Sequence, residues 1–138
     1  MKKVVTLIFV ILVTLCLLGL SGCSSGNAEN VKISEYHSEI YTDEEIKEAT
    51  NVAIRYFEKE FSGCTLTEIT YIGDDKLDSY QEFAERYNAD DVIVLISNFN
   101  VDASGGDGSL NPNSTYKHWN WILVRNSGGK WKHVDHGY

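Results

Sequence analysis

The sequence predicts an α+β fold: a curved antiparallel sheet of about four strands packed on one long and one short helix. Three observations carry this expectation. Apolar residues recur at helical spacing from Thr42 onward, four later segments are rich in β-branched and aromatic residues, and the order runs helix, strand, helix, strand, strand, strand. Such an order places antiparallel strands in one layer with helices on one face.

The long helix is expected over 43–61. Thr42-Asp43-Glu44-Glu45 has the Thr-x-x-Glu form of a capping box, and its acids sit where the helix dipole favours negative charge. Ile46, Ala49, Ala53, Tyr56, Phe57 and Phe61 then share one face, and Gly63 ends the run. Thr65 to Gly73 alternates as a strand, with Leu66, Glu68, Thr70 and Ile72 against Thr67, Ile69 and Tyr71, and Asp74-Asp75 closes it. A short helix follows, opened by a second Ser-x-x-Glu pair at Ser79 and Glu82 and closed by Asn88 in a left-handed cap. Val92 to Val101 is a long strand whose first half is apolar on both faces, so it is expected at the centre of the sheet. Asp102 to Thr115 is a loop, and His118–Arg125 and Lys130–His136 form a hairpin around Asn126-Ser127-Gly128-Gly129.

The first 22 residues have a different character. Lys2 and Lys3 precede an apolar run from Val4 to Leu18, and small residues follow at Gly19, Ser21 and Gly22. This is the order of a secretory signal, and the run is short for a spanning helix. Leu20-Ser21-Gly22-Cys23 resembles the lipobox of bacterial lipoproteins. That resemblance implies a diacylglyceryl group on the Cys23 sulfur and cleavage before Cys23, with Cys16 discarded. The expected organisation is a lipoprotein signal peptide over 1–22, a lipidated tether over 23–41 and one domain over 42–138. Within the tether, Val31 to Tyr36 predicts at most a short first strand.

Charge bears on partners. All 20 acidic residues follow Cys23 and two of the 12 basic residues precede it, which leaves 20 acids against 10 bases, a balance of −10. Such a surface is repelled by nucleic acid and by anionic lipid. The membrane contact is therefore expected through the lipid on Cys23, at the extracytoplasmic face, because two acyl chains anchor firmly where one is marginal. Cys64 is then unpaired, as a buried apolar side chain or a reactive thiol.

Three further stretches resemble a group of uncharacterised Gram-positive lipoproteins with a nuclear-transport-factor-2-like (cystatin-like) domain. They are Tyr56-Phe57-Glu58-Lys59-Glu60-Phe61 with Cys64 to Ile69, Ala89 to Leu95 leading to the loop Gly105 to Pro112, and Trp119 to Arg125 with Gly128-Gly129-Lys130-Trp131. The resemblance covers about residues 42–138. It implies a curved sheet wrapped round a helix and carries no catalytic residue, since that family has no settled activity.

The C-terminal hairpin concentrates the candidate site residues. From Thr115 on, Lys117, Arg125, Lys130 and Lys132 face one acid, Asp135, among Tyr116, Trp119, Trp121 and Trp131. A basic, aromatic end of this kind suits an extracytoplasmic ligand or protein, with exposed Trp as a platform. Regular alternation puts Asn120, Ile122, Val124, Trp131, His133 and Asp135 on one face and Trp119, Trp121, Leu123, Val134 and His136 on the other, unless a bulge intervenes. On that parity His118, His133 and Asp135 share a face, as a divalent metal requires, and Asp135 with His133 or Tyr71 suits acid–base chemistry. The loop Asp102 to Gly108 with Asn111 offers oxygen ligands of the calcium kind, but without the spacing or closing glutamate of an EF-hand. None of these patterns is complete enough to assign a metal, a cofactor or a catalytic residue. The expected function is a non-catalytic binding or interaction module. A small pocket enzyme of isomerase or dehydratase type and an immunity-type lipoprotein are the alternatives.

Overall fold

The computed structural model describes residues 25–138; the expected signal segment and Cys23 lie outside the described residues. Among the described residues no helix is long and apolar enough to cross a membrane. The chain forms β1 (Lys32–Ile33), α1 (Asp43–Glu60), β2 (Cys64–Tyr71), a 3₁₀ helix (Asp74–Tyr80), α2 (Gln81–Arg86), β3 (Asp91–Val101), β4 (Thr115–Arg125) and β5 (Lys132–Gly137). The strands lie in one open sheet in chain order. β2 to β5 are antiparallel neighbours, whereas the two-residue β1 runs parallel to β2, which makes five strands where about four were expected.

α1 begins as its sequence dictates. Thr42 accepts from the Glu45 N–H at 3.2 Å, and the Glu45 carboxylate accepts from the Thr42 N–H at 2.8 Å. Its apolar stripe, with Ala49, Ala53 and Phe57 fully buried, lies on the face of the sheet built by Ile93, Leu95, Leu123 and Trp121. The small alanines let the helix approach the sheet closely. After Phe61 the chain turns at Gly63, whose φ is +69° and where a Cβ would stand 2.5 Å from Ser104 Oγ.

The second helical segment departs from expectation in two ways. A 3₁₀ helix occupies 74–80, and Tyr80, not Ser79, is the N-cap of α2, with no side-chain cap bond. It also packs on the other side of the sheet from α1, since Phe83 and Tyr80 border the cleft that Asn120, Ile122 and Asp135 border. Helices on both faces explain why Val92 to Leu95 are all buried despite alternating direction. Asn88 does adopt the left-handed conformation, at φ 54°.

The expected tether is largely folded. From Gly26 onward it runs along the domain: Gly26 N–H donates to Glu58 O at 2.8 Å, Asn27 N–H to Cys64 O at 2.9 Å and Leu66 N–H to Asn27 O at 2.8 Å. Ala28 and Tyr41 belong to the core, and Tyr41 Oη donates to Val92 O at 2.8 Å. Ser38 and the Glu39 N–H both bond the Asp74 carboxylate. A period-free polar segment is held here by single backbone bonds and isolated side chains, which leave no amphipathic signature. A Cβ at position 26 would lie 2.4 Å from Phe57 O, so only glycine fits there. Gly26→Val is expected to cost about 1 to 3 kcal/mol through this overpacking, with amide exchange speeding up at Asn27 and Leu66; unchanged exchange at those positions would show that the segment is not seated on α1.

Candidate functional site

Three bulges decide which side chains meet. One interrupts β2 between Leu66 and Glu68, so that Leu66, Ile69 and Tyr71 are all buried across an irregular spacing. Another lies between Ser97 and Phe99 opposite Lys117 and His118, and leaves His118 exposed at φ 57°. The third separates Ile122 from Leu123: Asp135 pairs with Ile122, His133 with Leu123 and His136 with Trp121, so Val134 is the extra residue.

That last bulge corrects the regular alternation. His133 and Trp131 join Trp119, Trp121, Leu123 and His136 on the α1 side, and Asp135 stays on the opposite face with Ile122. His118, His133 and Asp135 therefore do not converge, and among the described residues no group of three or more His, Cys, Asp or Glu side chains is placed to hold a metal ion. Tyr71 is equally remote from acid–base use with His133. It is buried, donates to Asp74 Oδ1 at 2.8 Å, and its hydroxyl is pushed upward in pKa by burial and by that carboxylate.

Two of the three expected platform tryptophans are core residues. Trp121 is fully buried and its Nε1–H donates to Ser97 Oγ at 2.8 Å. Trp131 is buried against Tyr41, donates to Glu45 O at 3.1 Å, and carries the Arg125 guanidinium 4.2 Å above its ring. Trp119 differs: it is half-buried at the open end of the sheet, and its Nε1 is the one buried side-chain polar atom among the described residues without a hydrogen-bond partner. Tyr116 stacks on Phe99 beside it, with ring centroids 5.1 Å apart, and its hydroxyl accepts from the Asn111 N–H at 3.1 Å.

The side chains that do converge are His133 and His136. His136 Nδ1 and His133 Nε2 are 3.2 Å apart, so one ring donates to the other. Tyr56 lies over His133 at 4.0 Å between centroids, and Phe61 and Trp121 flank His136 at 5.4 Å each. Burial, and then the neighbouring His136, push His133 down to about 4, and burial also lowers His136. Both rings are thus neutral at pH 7. His136 and Trp119 open into a cavity of about 420 Å³, closed on one side by Tyr56 and Glu60 of α1 and Phe61 at its C-cap, and on the other by Gly106, Asp107 and Leu110. Tyr56, Glu60 and Leu110 are not distinguishable as site residues in the sequence. Tyr56 reads as part of the helix stripe, next to Phe57.

The loop that closes this cavity is held from within. Asp102 accepts from both the N–H and the hydroxyl of Ser104, and Asp107 accepts from the Ser109 N–H at 3.0 Å. These Asx-type bonds lower the pKa of both carboxylates. Cys64 beneath the loop is buried, and desolvation followed by the charges of Asp102 and Asp107 raises its thiol to about 11. It is protonated at neutral pH and a poor nucleophile.

A larger cleft of about 590 Å³ lies across α1, between Ile33 to His37 and the Asp43–Asn51 stretch. It brings Tyr36 and Tyr71 edge to face at 5.1 Å. The smaller cavity has the convergent polar groups that define a binding site.

Comparison with protein-family models, with curated proteins and with solved structures yields no match for the chain.

The histidine pair gives the fold a pH response. In the unfolded chain His133 takes up its proton near 6.5, and in the folded chain near 4. Between these values the unfolded state binds more protons, so stability rises with pH, is complete above 6.5 and is lost as pH falls toward 4. Allowing for partial solvent access, the loss is about 1 to 2 kcal/mol. Urea unfolding at pH 7 and pH 4.5 is expected to show this difference, and His133→Gln to reduce it; an unchanged slope in the variant would contradict the assignment.

Proposed function

We propose that the chain is a lipid-anchored module at the extracytoplasmic face of the cell membrane, which binds a small ligand in the histidine–aromatic cavity without transforming it. The observation that carries this reading is the placement of Asp135. A catalytic imidazole needs a group to orient it and to stabilise its charged form. Here the nearest sequence candidate is across the sheet, and each histidine is bonded to the other in a desolvated aromatic setting that favours neutral rings. Such a pair presents a fixed polar edge, not a proton relay.

The same architecture supports the resemblance to nuclear-transport-factor-2-like (cystatin-like) lipoprotein domains. A long helix lies across an open, mostly antiparallel sheet, and the cavity opens where the sheet's strands end. The anchor reading rests on the lipobox-like Leu20-Ser21-Gly22-Cys23 and on the acidic balance of the remainder.

Fragment screening by ¹H–¹⁵N NMR tests the location of the site. Fragment hits are expected to shift the Trp119 indole and the amides of His136, Gly106 and Leu110, with the Trp131 indole unmoved. Hits that gather instead at Tyr36, His37 and Asn51 would transfer the site to the larger cleft.

A further inference from the structure

We infer that the end of the domain bearing the histidine–aromatic cavity lies against the bilayer, and that the cavity takes the ammonium headgroup of a phospholipid. This rests on the lipid-anchor reading of Cys23. Gly26 is seated on the last turn of α1: its N–H donates to Glu58 O at 2.8 Å, and a Cβ there would stand 2.4 Å from Phe57 O and 3.0 Å from Phe61 O. Only three peptide steps separate it from Cys23, so the anchor lies within about 11 Å of the folded surface. A domain so closely held has little freedom to turn its attached end away from the membrane.

The cavity is at that end. Phe61, whose carbonyl lies beside position 26, lines the cavity together with Ser62, Gly106, Asp107, Ser109 and Leu110. The start of α1 is held elsewhere, where Arg125 at the end of β4 pairs Glu45 and Asp91, Asp90 bonds Ser127, and Asp74 bonds Ser38 and Glu39 just ahead of the helix.

The chemistry of the walls selects the headgroup. Tyr56, Phe61 and Trp119 supply aromatic surface, and Glu60 and Asp107 place two carboxylates at the rim. Aromatic faces and carboxylates together attract an ammonium ion, and the same carboxylates repel an anionic head. Lys59, paired with Glu60 at 2.9 Å, is the cation an incoming ammonium displaces. An acidic domain tied down at short range thus meets the one part of a zwitterionic lipid that its charge favours.

The test uses the full lipidated chain in nanodiscs made either of phosphatidylethanolamine with phosphatidylcholine or of phosphatidylglycerol. Hydrogen exchange of Gly105–Leu110 is expected to be about tenfold slower in the ammonium-bearing lipid, and this protection to disappear in the Glu60→Gln, Asp107→Asn double variant. A 12-residue Gly-Ser insertion between Ser25 and Gly26, which adds about 19 Å of flexible reach, is expected to abolish it while leaving the fold's other exchange rates unchanged. Spin labels at Ser109→Cys and Asp75→Cys report orientation, the first lying near the headgroups and the second far from them. Equal protection in phosphatidylglycerol overturns the headgroup assignment, and equal depths for the two labels overturn the orientation. The mass of the Cys23 peptide from the same sample separates the two layers. An unmodified Cys23 overturns the anchor reading and this inference with it, whereas failed protection in a lipidated sample overturns this inference alone.

Discussion

Trp121→Ala is expected to destabilise the domain by about 3 to 5 kcal/mol, the range for removing a fully buried tryptophan from a packed core. Trp121 has no solvent exposure and touches the rings of Tyr56 and Phe57 of α1, Phe61 at its C-cap, and His133 and His136 of β5. Truncation opens a void between helix and sheet that rigid neighbours fill poorly, and it strands the Ser97 hydroxyl that accepts the indole N–H in a buried position. Against a typical total of about 5 to 15 kcal/mol, the variant is expected to be partly unfolded at 37 °C. Trp121→Phe restores most of the volume but not the hydrogen bond, and is expected to recover more than half of the loss. Thermal and urea unfolding measure both. Equal losses in the two variants would mean that the indole N–H, and not packing, dominates at this position.

Arg125→Ala is expected to cost about 2 to 4 kcal/mol, toward the lower part of the range for breaking a buried ion pair because its partners are partly exposed. The Arg125 side chain is only 10% exposed, and its guanidinium bonds Glu45 Oε1 at 2.5 Å and Asp91 Oδ2 at 2.9 Å while lying over Trp131. One side chain thus ties the end of β4 to the start of β3 and to the first turn of α1. Glu45 has a second duty in the capping box, and the Thr42 N–H followed by Arg125 hold its carboxyl down at about 2. Removing the guanidinium leaves two neighbouring carboxylates facing each other and uncovers the Trp131 ring. Arg125→Lys is expected to recover only part of the stability, because an ammonium lacks the fork that reaches both acids and the plane that covers the indole. A lysine variant as stable as the parent would show that net charge alone is at work.

Much of the fold follows from local chemistry that is visible in the chain. The Thr42–Glu45 box, the Ala49–Ala53–Phe57 stripe and the doubly covered start of β3 are properties of consecutive residues, and the structure has them all. The candidate site was harder to read because it depends on bulges. Whether His133 points toward α1 or away from it turns on one extra residue, Val134, and a bulge is set by the partner strand's register. The sequence alternation put Trp131 and His133 with Asp135, and the bulge parts them. Ser79 resembles an N-cap as well as Thr42 does, yet the 3₁₀ turn packed through Leu77 displaces the helix start to Tyr80. The docking of residues 26–41 was illegible for a different reason: Gly26 contributes by having no side chain, and a missing Cβ has no period.

The reading of this chain as a membrane-anchored module depends first on Cys23. Mass spectrometry of the N-terminal peptide from the membrane fraction of bacteria that express the full chain is the most direct measurement. The predicted result is a mature chain that begins at Cys23 and carries a diacylglyceryl group on its sulfur, with Cys23→Ala left unprocessed by this route. A chain cut at another bond, or one that retains Met1 with a free thiol at Cys23, would contradict it.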